Sequence, residues 1–197
     1  MRLAVPGSPP PPSGMRYLLL ILLLLSTPAL ADSSTARKQA QIKETLDALQ
    51  AAPSAEAAVT LEAHLTEMWL NAGTPAVTLL MSRGLRELKA GDSKSAIEDF
   101  GDAVTLQPEL AEGYRQLALA RYTAGDSKGA IEALAQAVQR EPRDFLAFKT
   151  LTDISESRQD WKGAYEAWQK VLSIDPKTPG AEERLKHLQQ QAFGQET

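Results

Sequence analysis

Three stretches decide the fold: GDSKSAIEDFGDAV at 91–104, GDSKGAIEALAQAV at 125–138 and QDWKGAYEAWQKVL at 159–172. They read as one segment written three times, each copy 34 residues after the last. The offset carries Asp92 onto Asp126 and Asp160, and Ala96 onto Ala130 and Ala164. It also carries Phe100 onto Leu134 and Trp168, Ala103 onto Ala137 and Val171, and Pro108 onto Pro142 and Pro176. Self-similarity at such a period marks an array of supersecondary units in which each unit buries its apolar face on the next.

Each column has a mechanical reason. The early alanine lets a helix approach its partner closely, and the aromatic or leucine one turn later fills the space between them. Gly91 and Gly125 suit a tight turn between paired helices, where a left-handed backbone costs glycine little. The prolines end the second helix of each pair and set the next turn. The segments numbered from Val77, Ala111 and Phe145 resemble tetratricopeptide repeats. Leu80, Tyr114 and Phe148 stand at the family's bulky position, and Gly84 and Ala118 at its small one. Three residues depart from that pattern. Arg83 stands where Leu117 and Leu151 match it, Gln159 replaces the turn glycine, and Thr152 replaces the small residue.

Outward from the repeats, residues 32–74 read as an N-terminal helical pair. Ile42, Leu46 and Leu49 fall at helical spacing, and Pro53-Ser54 restarts a helix carrying Val59, Leu61, Leu65, Met68 and Trp69. This pair fits no repeat column, so it is either a decayed repeat or a dedicated cap on the array. Thr74-Pro75 opens the repeat region 75–176. Beyond it, 177–197 reads as a capping helix and tail, with Thr178 and Pro179 as N-cap and first residue and Leu185 and Leu188 on one side. The expected fold is therefore all-α: an α-solenoid of three helix pairs between an N-terminal helical pair and a C-terminal capping helix.

The first 31 residues read as a secretory signal. Arg16 precedes an almost pure leucine run ending before Pro28, and Ala29-Leu30-Ala31 forms an A-x-A site cut between Ala31 and Asp32. The run falls short of the roughly 20 apolar residues a membrane span needs. Met15 reads as the expected point of initiation. With no cysteine anywhere, an exported chain has no disulfide framework and no thiolate chemistry. Periplasmic residence, with no membrane attachment after cleavage, is the expectation. Acidic residues outnumber basic ones 25 to 21, which argues against phosphate-neutralising nucleic-acid binding.

The resemblance also implies where a partner would lie. In the repeat family the second, fifth, ninth and twelfth residues of each first helix face a concave groove. Carried over, Met81, Leu85, Leu119 and Tyr122 form an apolar floor, and Arg115 and Lys149 form a row of two cations, with Asp153 beside them. That set implies a protein segment with an apolar stretch and a nearby carboxylate. The alternative is that the apolar residues pack on the N-terminal helices and the cations are solvated. His64 and His187 lie on separate flanking helices, too few and too far apart for a metal. No nucleophile elbow, phosphate loop or zinc motif occurs, so neither catalysis nor a cofactor is expected. Trp161, Tyr165 and Trp168 share one helical stripe and read as core. The implied function is an exported interaction scaffold. The alternatives are an accessory non-catalytic subunit of a cell-envelope enzyme and a protein that self-associates through its terminal helices into a homo-oligomer.

Overall fold

In a computed structural model the chain is helical throughout the residues it describes, 29–194, with side chains placed from residue 36 onward. Nine helices follow one another among the described residues: α1 Ala29–Gln50, α2 Ala55–Leu70, α3 Pro75–Lys89, α4 Ser93–Leu106, α5 Ala111–Thr123, α6 Ser127–Arg140, α7 Phe145–Ser157, α8 Trp161–Ile174 and α9 Ala181–Phe193. By contact the chain divides after Gln39, within α1. Most of the expected signal segment lies outside the described residues. Ala31 and Asp32 fall within α1.

The repeat columns become three superposable helix pairs, α3–α4, α5–α6 and α7–α8. Ala96, Ala130 and Ala164 are fully buried, as are Ala103, Ala137 and Val171. Phe100, Leu134 and Trp168 fill the space one turn on. Gly84 shows why the first helix needs a small residue: a Cβ there would meet the Phe100 ring at 2.8 Å. The aspartate column is a column of helix N-caps. Asp92, Asp126 and Asp160 accept hydrogen bonds from the backbone N–H of Ser95, Gly129 and Gly163, at 3.1, 2.8 and 3.0 Å. The turn before each cap uses a left-handed residue. Gly91 and Gly125 have φ of 86° and 85°, and Gln159 adopts the same region at 59° in the third copy. Conformation is thus conserved across the three turns although the residue is not.

The two ends of the array are finished differently. At the C-terminus α9 packs on α8, burying Leu188 with Trp168 and Val171. The Trp168 indole N–H reaches the Ala181 carbonyl at 3.1 Å. Trp161 and Tyr165 are half-buried rather than core, and they meet His187 and Phe193 edge-on. The helix starts later than the sequence predicted. Gly180, at φ 73°, takes the N-cap position, because Thr178 is buried and its hydroxyl is turned to Glu62.

At the other end, no helix among the described residues stacks on repeat one. Gly113, Leu117 and Ala120 form the face of α5 that packs back on repeat one, and Ala147, Leu151 and Ile154 do the same for α7. The equivalent residues of α3 are Leu79, Arg83 and Arg86, all exposed. Arg83, the departure noted in the sequence, turns to the buried carboxylate of Asp99 on α4, where the other repeats carry Ala133 and Ala167. The two substitutions belong together: an arginine at an unstacked edge and the acid that holds it.

The N-terminal pair is therefore not a lid on repeat one. Ile42, Leu46, Leu49, Ala58, Leu65 and Trp69 bury themselves with Phe145 and Ile174 of repeat three, with Leu146 and Phe148 at the margin. The pair packs on the N-terminal half of α7, where the groove positions Leu146 and Lys149 lie, and on the end of α8.

A half-filled groove on the first helices

Two of the seven groove residues predicted from sequence lie in polar clusters on the N-terminal halves of the first helices. Arg115 does not point to solvent. It is 8% exposed and forks onto Glu112, one turn back on α5, at 2.8 and 2.5 Å. Gln116 donates to the same carboxylate at 2.7 Å. Asp144, the N-cap of α7, sits beside them almost fully buried. Burial pushes its carboxyl up to about 7; Arg115 opposes this and Glu112 adds to it. One cation thus serves two carboxylates in a dry site.

The next repeat builds the same arrangement from different partners. Lys149 donates to Glu62 of α2 at 2.8 Å and stands 4.0 Å from Asp175. Thr178 reaches the same Glu62 oxygen at 3.1 Å. Asp175 is fully buried, and burial, followed by the neighbouring Glu62 carboxylate, raises it to about 7. Burial works against Glu62 too, but the Asp175 side chain, Lys149 and Thr178 beside it hold it below the ordinary value. Lys149 also lies over the Phe145 ring, 5.0 Å from its centroid.

The expected row of two free cations is thus corrected: each guanidinium or ammonium is neutralised inside the chain. Asp153 is likewise engaged, by Arg184 of α9 at 2.5 Å, although its side chain stays 54% exposed. Met81 is buried in the core. Leu85, Leu119 and Tyr122 are half-buried, on the C-terminal halves of α3 and α5. The groove therefore divides lengthwise. Its fifth-position residues (Met81, Arg115, Lys149) are buried or ion-paired, whereas the ninth and twelfth positions of the first two repeats keep apolar surface.

Sequence reasoning missed Glu62, Asp144, Asp175 and Thr178. Asp144 and Asp175 bracket repeat three in columns where repeat one has Ala76 and Gln107, so a column comparison held a signal. Glu62 held none, because its partner lies 87 residues away.

A smaller cleft of about 350 Å³ opens between α6, α7 and α8, lined by Ile131, Phe148, Leu151, Ser155 and Lys170 among others. Among the described residues there is no cluster of three or more groups able to hold a metal, and no helix long and apolar enough to cross a membrane.

Comparison with known proteins places this geometry. No family model matches the chain, and no curated protein does. Solved structures do match. The first TPR of Spaghetti (RPAP3), bound to the HSP90 peptide SRMEEVD, superposes with a TM-score of 0.56 at 18% identity, over 60% of this chain and 96% of that one. The Sgt2 TPR domain from Aspergillus fumigatus gives 0.55 at 22% identity, over 60% and 80%. MamA gives 0.55 at 21%, over 81% and 85%. At such identities the likeness is one of fold, and it agrees with the repeat columns: this chain has the tetratricopeptide-repeat fold.

Proposed function

We propose that this chain is an exported interaction scaffold that holds an apolar segment of another protein on the open half of its groove. The observation that carries this reading is the placement of Leu85, Leu119 and Tyr122. Leu85 and Leu119 stand at equivalent positions on adjacent first helices, with Tyr122 one turn beyond Leu119, and all three stay half-exposed while the stacking columns around them are buried. An apolar strip on rigid neighbouring helices offers preorganised area at little entropic cost. The peptide held by the RPAP3 domain supports a peptide as the class of partner. Export rests on the leader sequence, and residence in the periplasm goes with it; N-terminal sequencing of the mature protein should begin at Asp32.

The test is a pair of tagged variants purified from the native host. Leu119→Asp, with helix content and melting temperature unchanged, should lose a protein that co-purifies stoichiometrically with wild type. Glu132→Lys, on the second helix α6, should keep it. Equal recovery by both variants would move the working surface away from the groove.

One observation favours a second reading, self-association through the ends of the array. Leu79 and Leu106 on the unstacked edge of repeat one are 68% and 63% exposed, and Phe193 on α9 is 62% exposed. A mass that rises with protein concentration would support it. A monomer at all concentrations would remove it.

A further inference from the structure

The N-terminal pair combines three features that a structural cap does not require. Among the described residues it does not cover the exposed face of repeat one, and it packs instead on the N-terminal half of α7. Its sequence shares no column with the repeats. And it delivers, from outside the array, the carboxylate that neutralises a groove lysine: Glu62 on Lys149 at 2.8 Å. Two turns further along α2, on the same face, Trp69 packs against Phe145 with ring centroids 5.6 Å apart, and Leu65 between them is fully buried. An amphipathic helix laid in a groove by an apolar anchor and a charge pair is a recurring mode of peptide recognition. The other ties are mixed: Leu46, Leu49 and Ala58 are buried with Phe145 and Ile174, while nearer the surface Asp47 meets Arg143 at 2.5 Å and Gln50 the Ser173 carbonyl at 3.1 Å.

We infer that α2 is a resident ligand of the half-groove around Lys149 and Phe145, and that the partner chemistry this site accepts is an amphipathic helix presenting a carboxylate two turns before a tryptophan. In the isolated chain α2 holds the site in cis. A partner helix of the same chemistry enters by displacing it. This deepens the groove reading and rests on the first helices being the working surface. Residues 71–74 tether α2 directly to α3, and a short tether gives a local concentration on the order of millimolar. A free helix at micromolar concentration therefore cannot compete with an intact α2. Release of α2 would raise apparent affinity by the reciprocal of the open fraction.

The probe is a fluorescein-labelled peptide of residues 55–70, read by anisotropy against the full chain. Wild type should bind it weakly. The double variant Glu62→Gln, Trp69→Ala, which loosens the cis helix, should bind it at least tenfold more tightly. A peptide carrying the same two changes should bind neither protein. A folded double variant with no gain in affinity would overturn the proposal. If the variant fails to fold, hydrogen exchange on the unmodified protein decides. Amides of α2 should exchange at least tenfold faster than those of α5 and α7, as expected of a segment that opens on its own. Equal protection would make α2 part of the cooperative core and overturn the proposal. Failure of the groove reading shows separately, as loss of the Leu119 phenotype with peptide binding at Lys149 intact.

Discussion

Replacing Asp175 with asparagine should stabilise the protein, increasingly so as pH rises from about 4 to about 7. Asp175 is fully buried, between Glu62 and the Lys149 ammonium 4.0 Å away. Burial first, and then the Glu62 carboxylate, hold its carboxyl at about 7, against 3.8 for the free side chain. The folded state therefore binds this proton more tightly than the unfolded chain does. Below about pH 4 the group is protonated in both states and contributes no pH dependence. As pH rises the unfolded chain ionises first, so stability falls until the folded-state carboxyl also ionises near 7. A difference of that size is worth up to about 4 kcal/mol. The attraction to Lys149 is already contained in that shifted value, so most of the difference is expected at pH 8. Asparagine keeps the shape of the protonated acid without the ionisation. Urea titrations of wild type and Asp175→Asn should coincide near pH 4, separate progressively from about pH 4 to about pH 7 and stay apart by a constant amount above that, the variant being the more stable. Curves offset by the same amount at both pH values would refute the reasoning, as would a less stable variant at pH 8.

Three further outcomes follow from the same geometry. Asp144→Asn should behave like Asp175→Asn in urea titrations at pH 8, because asparagine can still cap α7 while the surplus buried charge beside Arg115 and Glu112 disappears. Lys149→Met removes the one cation shared by Glu62 and Asp175; it should cost about 3 kcal/mol at pH 8 and clearly less at pH 5, where Asp175 carries its proton. Gln159→Gly relieves a left-handed non-glycine residue, a gain of about 1 kcal/mol before the entropy of the freer unfolded chain is subtracted. The reciprocal change Gly125→Gln in the equivalent turn should shift the midpoint of thermal unfolding the opposite way.

The fold was legible because a repeat array is built from near-neighbour rules. Ala96, Phe100 and Ala103 and their copies at 34-residue offsets encode contacts with the partner helix a few residues away, so periodicity reports packing directly. The odd residues were legible too. Arg83 marks the repeat on which no described helix stacks, and Gln159 marks a turn whose backbone the other copies fix with glycine. The groove was half legible. The columns place Arg115 and Lys149 on its wall, but a column says nothing about what neutralises a charge. Arg115 is satisfied from its own helix by Glu112, Lys149 by Glu62 on α2, and Asp153 by Arg184 on α9. Each of the last two pairings spans a tertiary contact between a repeat and a flanking element outside the period. For the same reason the sequence fixes the existence of α1 and α2 but not their destination. Their apolar stripes suit the open end of the array as well as the groove, and Glu62 and Trp69 settle the choice only once Lys149 and Phe145 are in place.

Site-specific photocrosslinking in the native host, with the probe replacing Leu119 on the open half of the groove and Glu132 on α6 as control, tests the central claim most directly. One discrete protein captured at Leu119 and absent at Glu132 is the predicted result. No adduct at Leu119, or equal labelling at both positions, would contradict it.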